Sequence, residues 1–344
     1  MIEYGENSSH TEEAPMNAFT ATLNPMLTLF LCIAAGFALY KFKILPEGSG
    51  SVIAKLETWV FCPALSFITM LRFCTLSTIR EHAINVLLGS CCVVFAVAIA
   101  IPLSCIFVKK KSPERGIYRY ALAIANTGYL GDPVVLSLFG DVALSYYKLF
   151  CLPFNIVIYT WGMSILVPDG ENRSNVFKKI LNPPTVSMLV GIAAGLLGLE
   201  TYIPSFLLSS LDSLKVCMGP CAMLLAGITI ARFHLVEMLT NKKVYIVSAL
   251  RLFVFPILSV ALLYGLKELA NAVFSLNIGN NVLYLGFFAT GSALGLNTVV
   301  FPEAYGGDPR TGAAMALISH TFCVISIPIM YSLLSSLIGP FVIA

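Results

Sequence analysis

The stretch 83–108, AINVLLGSCCVVFAVAIAIPLSCIFV, runs for 26 residues without a charged side chain. As a helix it would be about 39 Å long, more than the ~30 Å hydrocarbon core of a bilayer. It shows no alternation of apolar and polar residues at period two, the pattern that a β-barrel strand requires. Outward from this run the chain repeats the theme: apolar stretches of roughly 20 residues, the length of a membrane span, separated by short charged segments. Of 344 residues, 58% are hydrophobic and 11% charged, whereas a soluble domain carries about 25% charged residues. A water-soluble chain of this length could not cover so much apolar surface with one core. The fold class is therefore an all-α membrane protein.

Ten spans follow from the hydropathy pattern: 19–40, 51–72, 83–108, 117–140, 143–167, 183–199, 205–231, 243–267, 281–304 and 311–338. Residues 1–18, with Glu3, Glu6, Glu12 and Glu13, read as a disordered extracytoplasmic leader. They lack the basic start of a signal peptide. The segment 168–182 contains Pro168, Asp169, Gly170 and Asn172 and runs into Pro183-Pro184. It reads as a cytoplasmic connection between a first five-helix repeat (19–167) and a second (183–340).

Of the 21 Lys and Arg residues, fifteen fall at the loops after spans 1, 3, 5, 7 and 9 or at their edges. The other six are Arg72, Arg80, Lys148, Lys215, Arg251 and Lys267. By the positive-inside rule the first side is cytoplasmic. Both termini are then extracytoplasmic, in a multi-pass protein of the plasma (inner) membrane surrounded by lipid. The net charge of +3 is not clustered, so no nucleic-acid partner is expected. Ten cysteines lie mostly inside apolar runs, where cysteine acts as a small hydrophobe, and show no zinc or disulfide spacing.

The halves resemble each other. Leu23-Asn24-Pro25 and Ile33-Ala34-Ala35-Gly36 in span 1 match Leu181-Asn182-Pro183 and Ile192-Ala193-Ala194-Gly195 at span 6, offset by 158 to 159 residues. Pro63 and Pro220 are offset by 157. With five helices per copy, the second copy enters the membrane from the opposite side, which makes the repeat inverted.

Span 4 reads Ala125-Asn126-Thr127-Gly128-Tyr129-Leu130-Gly131-Asp132-Pro133, and span 9 reads Ala289-Thr290-Gly291-Ser292-Ala293-Leu294-Gly295-Leu296-Asn297-Thr298. Each carries two glycines near mid-span, where glycine unwinds cheaply and proline removes a backbone donor. Backbone groups freed in lipid need protein, water or ligand partners. Paired breaks in inverted halves therefore point to a substrate site. A broken helix presents a half-helix N-terminus with partial positive charge, favouring an anion. Asn126, Asn297, Thr127, Ser292 and Thr298 could add uncharged donors. An alanine at 126 is expected to weaken substrate binding at little cost to stability.

At these residues the chain resembles the auxin efflux carrier superfamily, which includes bacterial organic-acid carriers and plant PIN-like proteins. The resemblance rests on Asn126-Thr127-x4-Asp132-Pro133 with Phe139-Gly140-Asp141, on Gly291-x5-Asn297 with Tyr305-Gly306-Gly307-Asp308, and on Pro63 and Gly227-Ile228-Thr229-Ile230-Ala231. It implies ten helices, broken helices 4 and 9 that cross, a scaffold with a mobile transport domain, and elevator-type alternating access. It implies a substrate site at Asn126 and Asn155. With the residues of the two breaks, the expected site comprises Asn126, Thr127, Gly128, Gly131, Asn155, Gly291, Ser292, Gly295 and Asn297. Two departures stand out: span 9 lacks a crossover proline, leaving helix 9 either broken or continuous, and Asp132 replaces a common apolar residue.

Asp132 precedes Pro133 at mid-span, where a charge is costly and functional by default. The sequence leaves three roles open for it: a coupling proton, a bound cation such as Na+, or a hydrogen bond to the broken helix or to water. His320 in span 10 is a second candidate proton carrier. Asp212 and Lys215, three apart, are placed to pair on one helix face. No cofactor is expected beyond a coupling proton or Na+, and a homodimer stays open. The resulting expectation is a secondary transporter of a small carboxylate such as malate, malonate or an auxin-like acid. The alternative is a ligand-sensing receptor of the same fold. An intramembrane enzyme would need a catalytic constellation, and His10, His82, His234 and His320 are scattered.

Overall fold

The computed structural model describes residues 15–109, 112, 114–166, 181–233, 239–305 and 308–341. Most of the leader and of the connection 168–182, and the Gly306-Gly307 pair, lie outside the described residues. The described residues form helices and no strands: α1 Pro15–Lys41, α2 Ser49–Phe73, α3 Ile79–Phe107, α4 Arg115–Ala123, α5 Thr127–Leu166, α6 Pro183–Leu196, α7 Ser205–Ala231, α8 Lys242–Phe274, α9 Asn281–Gly291, α10 Asn297–Tyr305 and α11 Arg310–Ile338. Seven of them (α1, α2, α3, α5, α7, α8 and α11) are long and apolar enough to cross a membrane, and α6 is a shorter apolar helix.

Three of the long helices widen by one π turn ahead of a proline: Glu57–Phe61 before Pro63, Thr127–Gly131 before Pro133, and Leu250–Val254 before Pro256. The residue just before each proline donates its N–H to the carbonyl five positions back. The cause is the proline ring, which crowds the carbonyl four residues upstream and offers no N–H of its own.

α5 holds a second irregularity at Gly140, with φ 78° and ψ −173°. That backbone conformation is open to glycine alone without strain. It separates the stretch from Asp132 from a second arm that continues to Leu166, close to the boundary expected between spans 4 and 5.

Helix packing uses small residues where backbones meet. α1 packs along α7 and α2 along α6. A β-carbon at Gly36 would collide with the Leu224 carbonyl, and one at Gly227 with that of Ile33. Gly191 and Gly195 of α6 likewise sit against backbone of α2 at Phe67, Met70, Leu71 and Cys74. α3 lies along α5, α8 against α9, and α11 against α1.

Both expected breaks exist; the second includes Gly295, but the first is not where its glycines stand. The first spans Ile124–Asn126, ahead of Gly128 and Gly131, which belong to the π turn that opens α5. Gly131 is small for packing, since a β-carbon there would strike the Tyr147 hydroxyl. The second covers 292–296, between α9 and α10, and is complete without a crossover proline. Ser292 is extended (φ −74°, ψ 164°).

Candidate functional site

The two breaks meet. Ala125 and Leu294 form an antiparallel bridge, and the Asn126 N–H donates to the Ala293 carbonyl at 2.8 Å. The Leu294 N–H donates to Ser319 Oγ of α11 at 3.0 Å. Each unwound segment thus supplies partners for the other, as the low-polarity surroundings of a membrane protein demand.

The ends of the half-helices are also satisfied. Arg251, in the π turn of α8, is 1% exposed. Its guanidinium donates to the carbonyls of Leu122 (2.8 Å) and Ala121 (3.4 Å) at the end of α4, and of Thr290 (3.2 Å) at the end of α9. Carbonyls at a helix C-terminus lack intrahelical donors and carry partial negative charge. One cation therefore caps two helix ends. In the sequence, Arg251 stands out only as one of the six basic residues that do not fall at the expected cytoplasmic loops. The signal was a lone Arg in mid-span, the same signal that singled out Asp132.

The opposite ends face a cavity of about 120 Å³, enough for several waters or a small solute. Asn126 heads α5, and its Oδ1 accepts from the Tyr129 N–H at 3.2 Å. Asn182 heads α6, and its Oδ1 accepts from Thr185 N–H at 3.0 Å. Asn297 opens α10, and its Nδ2 donates to the buried Tyr120 hydroxyl at 3.1 Å. All three asparagines line the cavity. Three helix N-termini, each carrying the partial positive charge of its aligned peptide dipoles, converge there.

The walls come from α2 and α5. Thr58, Cys62 and Ser66 share one face of α2, and Lys148, Cys151 and Asn155 one face of α5. Asp132 also lines the cavity, and its Oδ2 accepts from Lys148 Nζ at 2.7 Å, both residues being buried. Among the roles considered from sequence an ion pair within the membrane was absent. Lys148 stands 16 residues on in the next arm of the same helix, and only the turn at Gly140 makes them neighbours. An ionised Asp132 alone would repel an anion, and Lys148 balances that charge.

Of the expected site residues, Asn126, Thr127, Gly128, Asp132, Asn155, Gly295 and Asn297 line the cavity. Gly131, Pro133, Gly291, Ser292 and His320 stand behind it. Pro133 packs on Gly219 of α7, and Gly291 packs against Phe287 and Pro256. Ser292 Oγ is buried with no hydrogen-bond partner among the described residues. His320 lies 3.3 Å from Asn126 Nδ2 through Nε2, and 2.8 Å from the Ala316 carbonyl through Nδ1. A carbonyl can only accept, so Nδ1 carries the hydrogen and Nε2 of the neutral ring accepts from Asn126. Asn126 is therefore held at both ends of its amide, so an alanine there is expected to cost stability as well as binding.

Further ionic groups lie around this core. Asp212 does sit 3.5 Å from Lys215, but its shorter contact is with Arg72 at 2.9 Å, and Lys215 reaches Asp141 at 2.7 Å. Arg72 also meets Glu200 at 3.0 Å. Glu57, in the π turn of α2, is fully buried with neither carboxyl oxygen partnered among the described residues. Outside the spans, the Arg310 guanidinium hydrogen-bonded to Asp308 holds that carboxyl below its ordinary range.

Crossed breaks, capped half-helices and a polar cavity inside an apolar bundle are the architecture of a solute pathway. A family model for membrane transport proteins matches residues 21–176 and 172–331. The chain belongs to this family of membrane transport proteins. It is the auxin efflux carrier and PIN-like family that the motifs resembled. Among similar proteins, an uncharacterized transporter of Methanocaldococcus jannaschii is 25% identical over 214 residues, 61% of this chain and 69% of the relative. An uncharacterized transporter of Methanothermobacter thermautotrophicus is 23% identical over 252 residues, 72% of this chain and 80% of the relative. The protein is thus a multi-pass membrane protein of a transporter family.

Proposed function

We propose that this protein is a secondary transporter of a small organic anion, a carboxylate in the class of malate, malonate or an auxin-like acid. The observation that carries the reading is the convergence of three asparagine-headed helix N-termini on one cavity that also holds an ammonium group. Each such terminus is worth up to ~2 kcal/mol to a negative group when partly buried. The asparagine amides add donors without adding a charge to be desolvated.

In this reading the chain crosses the membrane ten times as two inverted sets of five. Gly140 divides α5 into the second half of the fourth crossing and the whole fifth. α6 makes the sixth, and α9 with α10 make the ninth. The crossed breaks, tied by the bridge between Ala125 and Leu294, belong to a transport body that moves against α1, α2, α6 and α7 by elevator-type alternating access. The Lys and Arg distribution puts both termini outside the cytoplasmic membrane. An inside-negative potential of 100 mV is worth ~2.3 kcal/mol per charge, an outward bias of roughly 50-fold for an uncoupled monoanion. Uptake against that bias requires a co-transported cation.

The test is flux. Purified protein in proteoliposomes is expected to move radiolabelled malate, malonate or indole-3-acetate faster than empty liposomes. Folded protein that moves none of a broad carboxylate panel would refute the reading. Carboxylate binding without flux would favour the ligand-sensing receptor instead.

A further inference from the structure

The ion pair between Asp132 and Lys148 has no necessary part in holding the breaks together, since the bridge, Ser319 and Arg251 do that. Yet it is buried, it lines the cavity, and its separation is 2.7 Å. Its chemistry changes when a carboxylate arrives. In the empty cavity the two charges cancel. An ammonium has three N–H donors, and a ligand carboxylate that takes one of them leaves one cation facing two anions. A net buried charge is costly, and two carboxylates sharing one site do not both stay ionised.

We propose that Asp132 and Lys148 form a substrate-linked proton switch, in which carboxylate binding at Lys148 is accompanied by uptake of one proton from solution onto Asp132. The ligand anion and the proton enter together, the Lys148 ammonium turns from Asp132 to the ligand, and the protonated Asp132 carboxyl stays neutral beside them. Release on the far side returns the proton and restores the pair. One anion moves with one proton, so a monoanionic cargo carries no net charge, a dianion such as malate keeps one, and the cycle works as a symport. This rests on the transport reading above and supplies the coupling cation that uptake would need.

The surroundings leave Asp132 as the group that responds. On its own helix the titratable neighbours are Lys148, Tyr147 and Cys151, and on α2 Cys62. The Tyr147 hydroxyl donates toward the carbonyls of Thr127 (3.3 Å) and Phe288 of α9 (3.4 Å). α7 meets this stretch through Gly219 on Pro133, and its Lys215 is engaged by Asp141. Glu57 lies one turn before Cys62 and does not line the cavity. It is the competing acid, and the experiment separates the two.

The probe is indole-3-acetate, a monoanion at neutral pH, titrated calorimetrically into the purified full chain in buffers of different ionisation enthalpy. Wild type is expected to take up about one proton per ligand bound, with affinity falling up to about tenfold per pH unit as the solution becomes more alkaline. Asp132→Asn should bind with no proton uptake and a flat pH profile. Glu57→Gln should keep the uptake. Should Lys148→Ala fail to fold, the uncharged double variant Asp132→Asn/Lys148→Gln, monodisperse in detergent, should show both binding and uptake lost. Binding by wild type without proton uptake, uptake that persists in Asp132→Asn, or uptake lost only in Glu57→Gln overturns the switch and leaves the transport reading intact. Folded wild type that binds neither this probe nor malate nor malonate overturns the transport reading and the switch with it.

Discussion

Replacing Arg251 by alanine tests the claim that one buried guanidinium secures both halves of the crossover. Two of its contacts have good geometry, to Leu122 at 2.8 Å and Thr290 at 3.2 Å, while Ala121 at 3.4 Å is long. A hydrogen bond from a charged donor contributes about 1.5–3 kcal/mol, so the two good ones give roughly 3–6 kcal/mol. Relief of the cation's own burial offsets part of that loss. A net destabilisation of about 3 kcal/mol remains, with the orphaned carbonyls of α4 and α9 as its seat. The assay is thermal unfolding of the detergent-purified protein, followed by intrinsic fluorescence at fixed detergent and salt. At about 2–4 °C per kcal/mol for chains somewhat shorter than this one, Arg251→Ala should lower the apparent Tm by roughly 5–10 °C. Arg251→Lys should recover only part, because an ammonium lacks the planar fork that reaches two helix ends at once. An alanine variant within about 1 °C of wild type would refute the capping argument.

Other expectations follow from the same contacts. Asn126→Ala removes the cap on the Tyr129 N–H and the bond to His320, and should cost about 1–2 kcal/mol in denaturant or thermal unfolding besides weakening carboxylate binding. Lys148→Met leaves Asp132 buried without its cation and should cost about 3–5 kcal/mol. Adding Asp132→Asn to that variant should restore most of the loss, and a double-mutant cycle measures the coupling. Gly36→Val drives a side chain into the Leu224 backbone and should cost about 1–3 kcal/mol, seen as reduced yield and a lower Tm. Lys215→Met breaks the contact with Asp141; that partner is about one-third exposed, so a stability change within about 1 kcal/mol is expected.

The sequence announces the long helices because hydrophobic length is a property of consecutive residues. It announces the two irregular segments for the same reason, since Gly, Pro and Asn cluster locally. The second lies at its glycines, and the first lies a few residues ahead of its own. Gly128 and Gly131 look like the weak point of span 4, but the chain unwinds at Ile124–Asn126, where the α4 carbonyls find Arg251 and Asn126 finds Ala293. Those partners lie more than a hundred residues away, and no local propensity encodes them. The helix 9 break needs no proline for the same reason: Ala125, Ser319 and Arg251 satisfy its backbone. The cavity residues Asn126 and Asn297 are legible in the motifs, and Asn155 follows from the family resemblance. Lys148 is not legible there, because its meaning depends on the turn at Gly140 that folds α5 back beside Asp132. Glu57 and Arg251 were visible as charges inside apolar runs, but their surroundings belong to tertiary structure.

The three helix starts around the cavity have an evolutionary corollary. In the transport reading, the attraction they exert on an anion comes from the aligned peptide dipoles of the helices and adds to that of Lys148, while the other lining side chains set the shape. Genetic drift or directed evolution can repaint the walls at Thr58, Cys62, Ser66 or Met188 to admit a longer, bulkier or greasier solute while the partial positive charge of the helix ends stays where it was. In the transport reading proposed above, such a scaffold would change which acid it carries more readily than the sign of its cargo. Alanine substitutions at those four wall positions are then expected to shift selectivity among acids more than they weaken binding of any one.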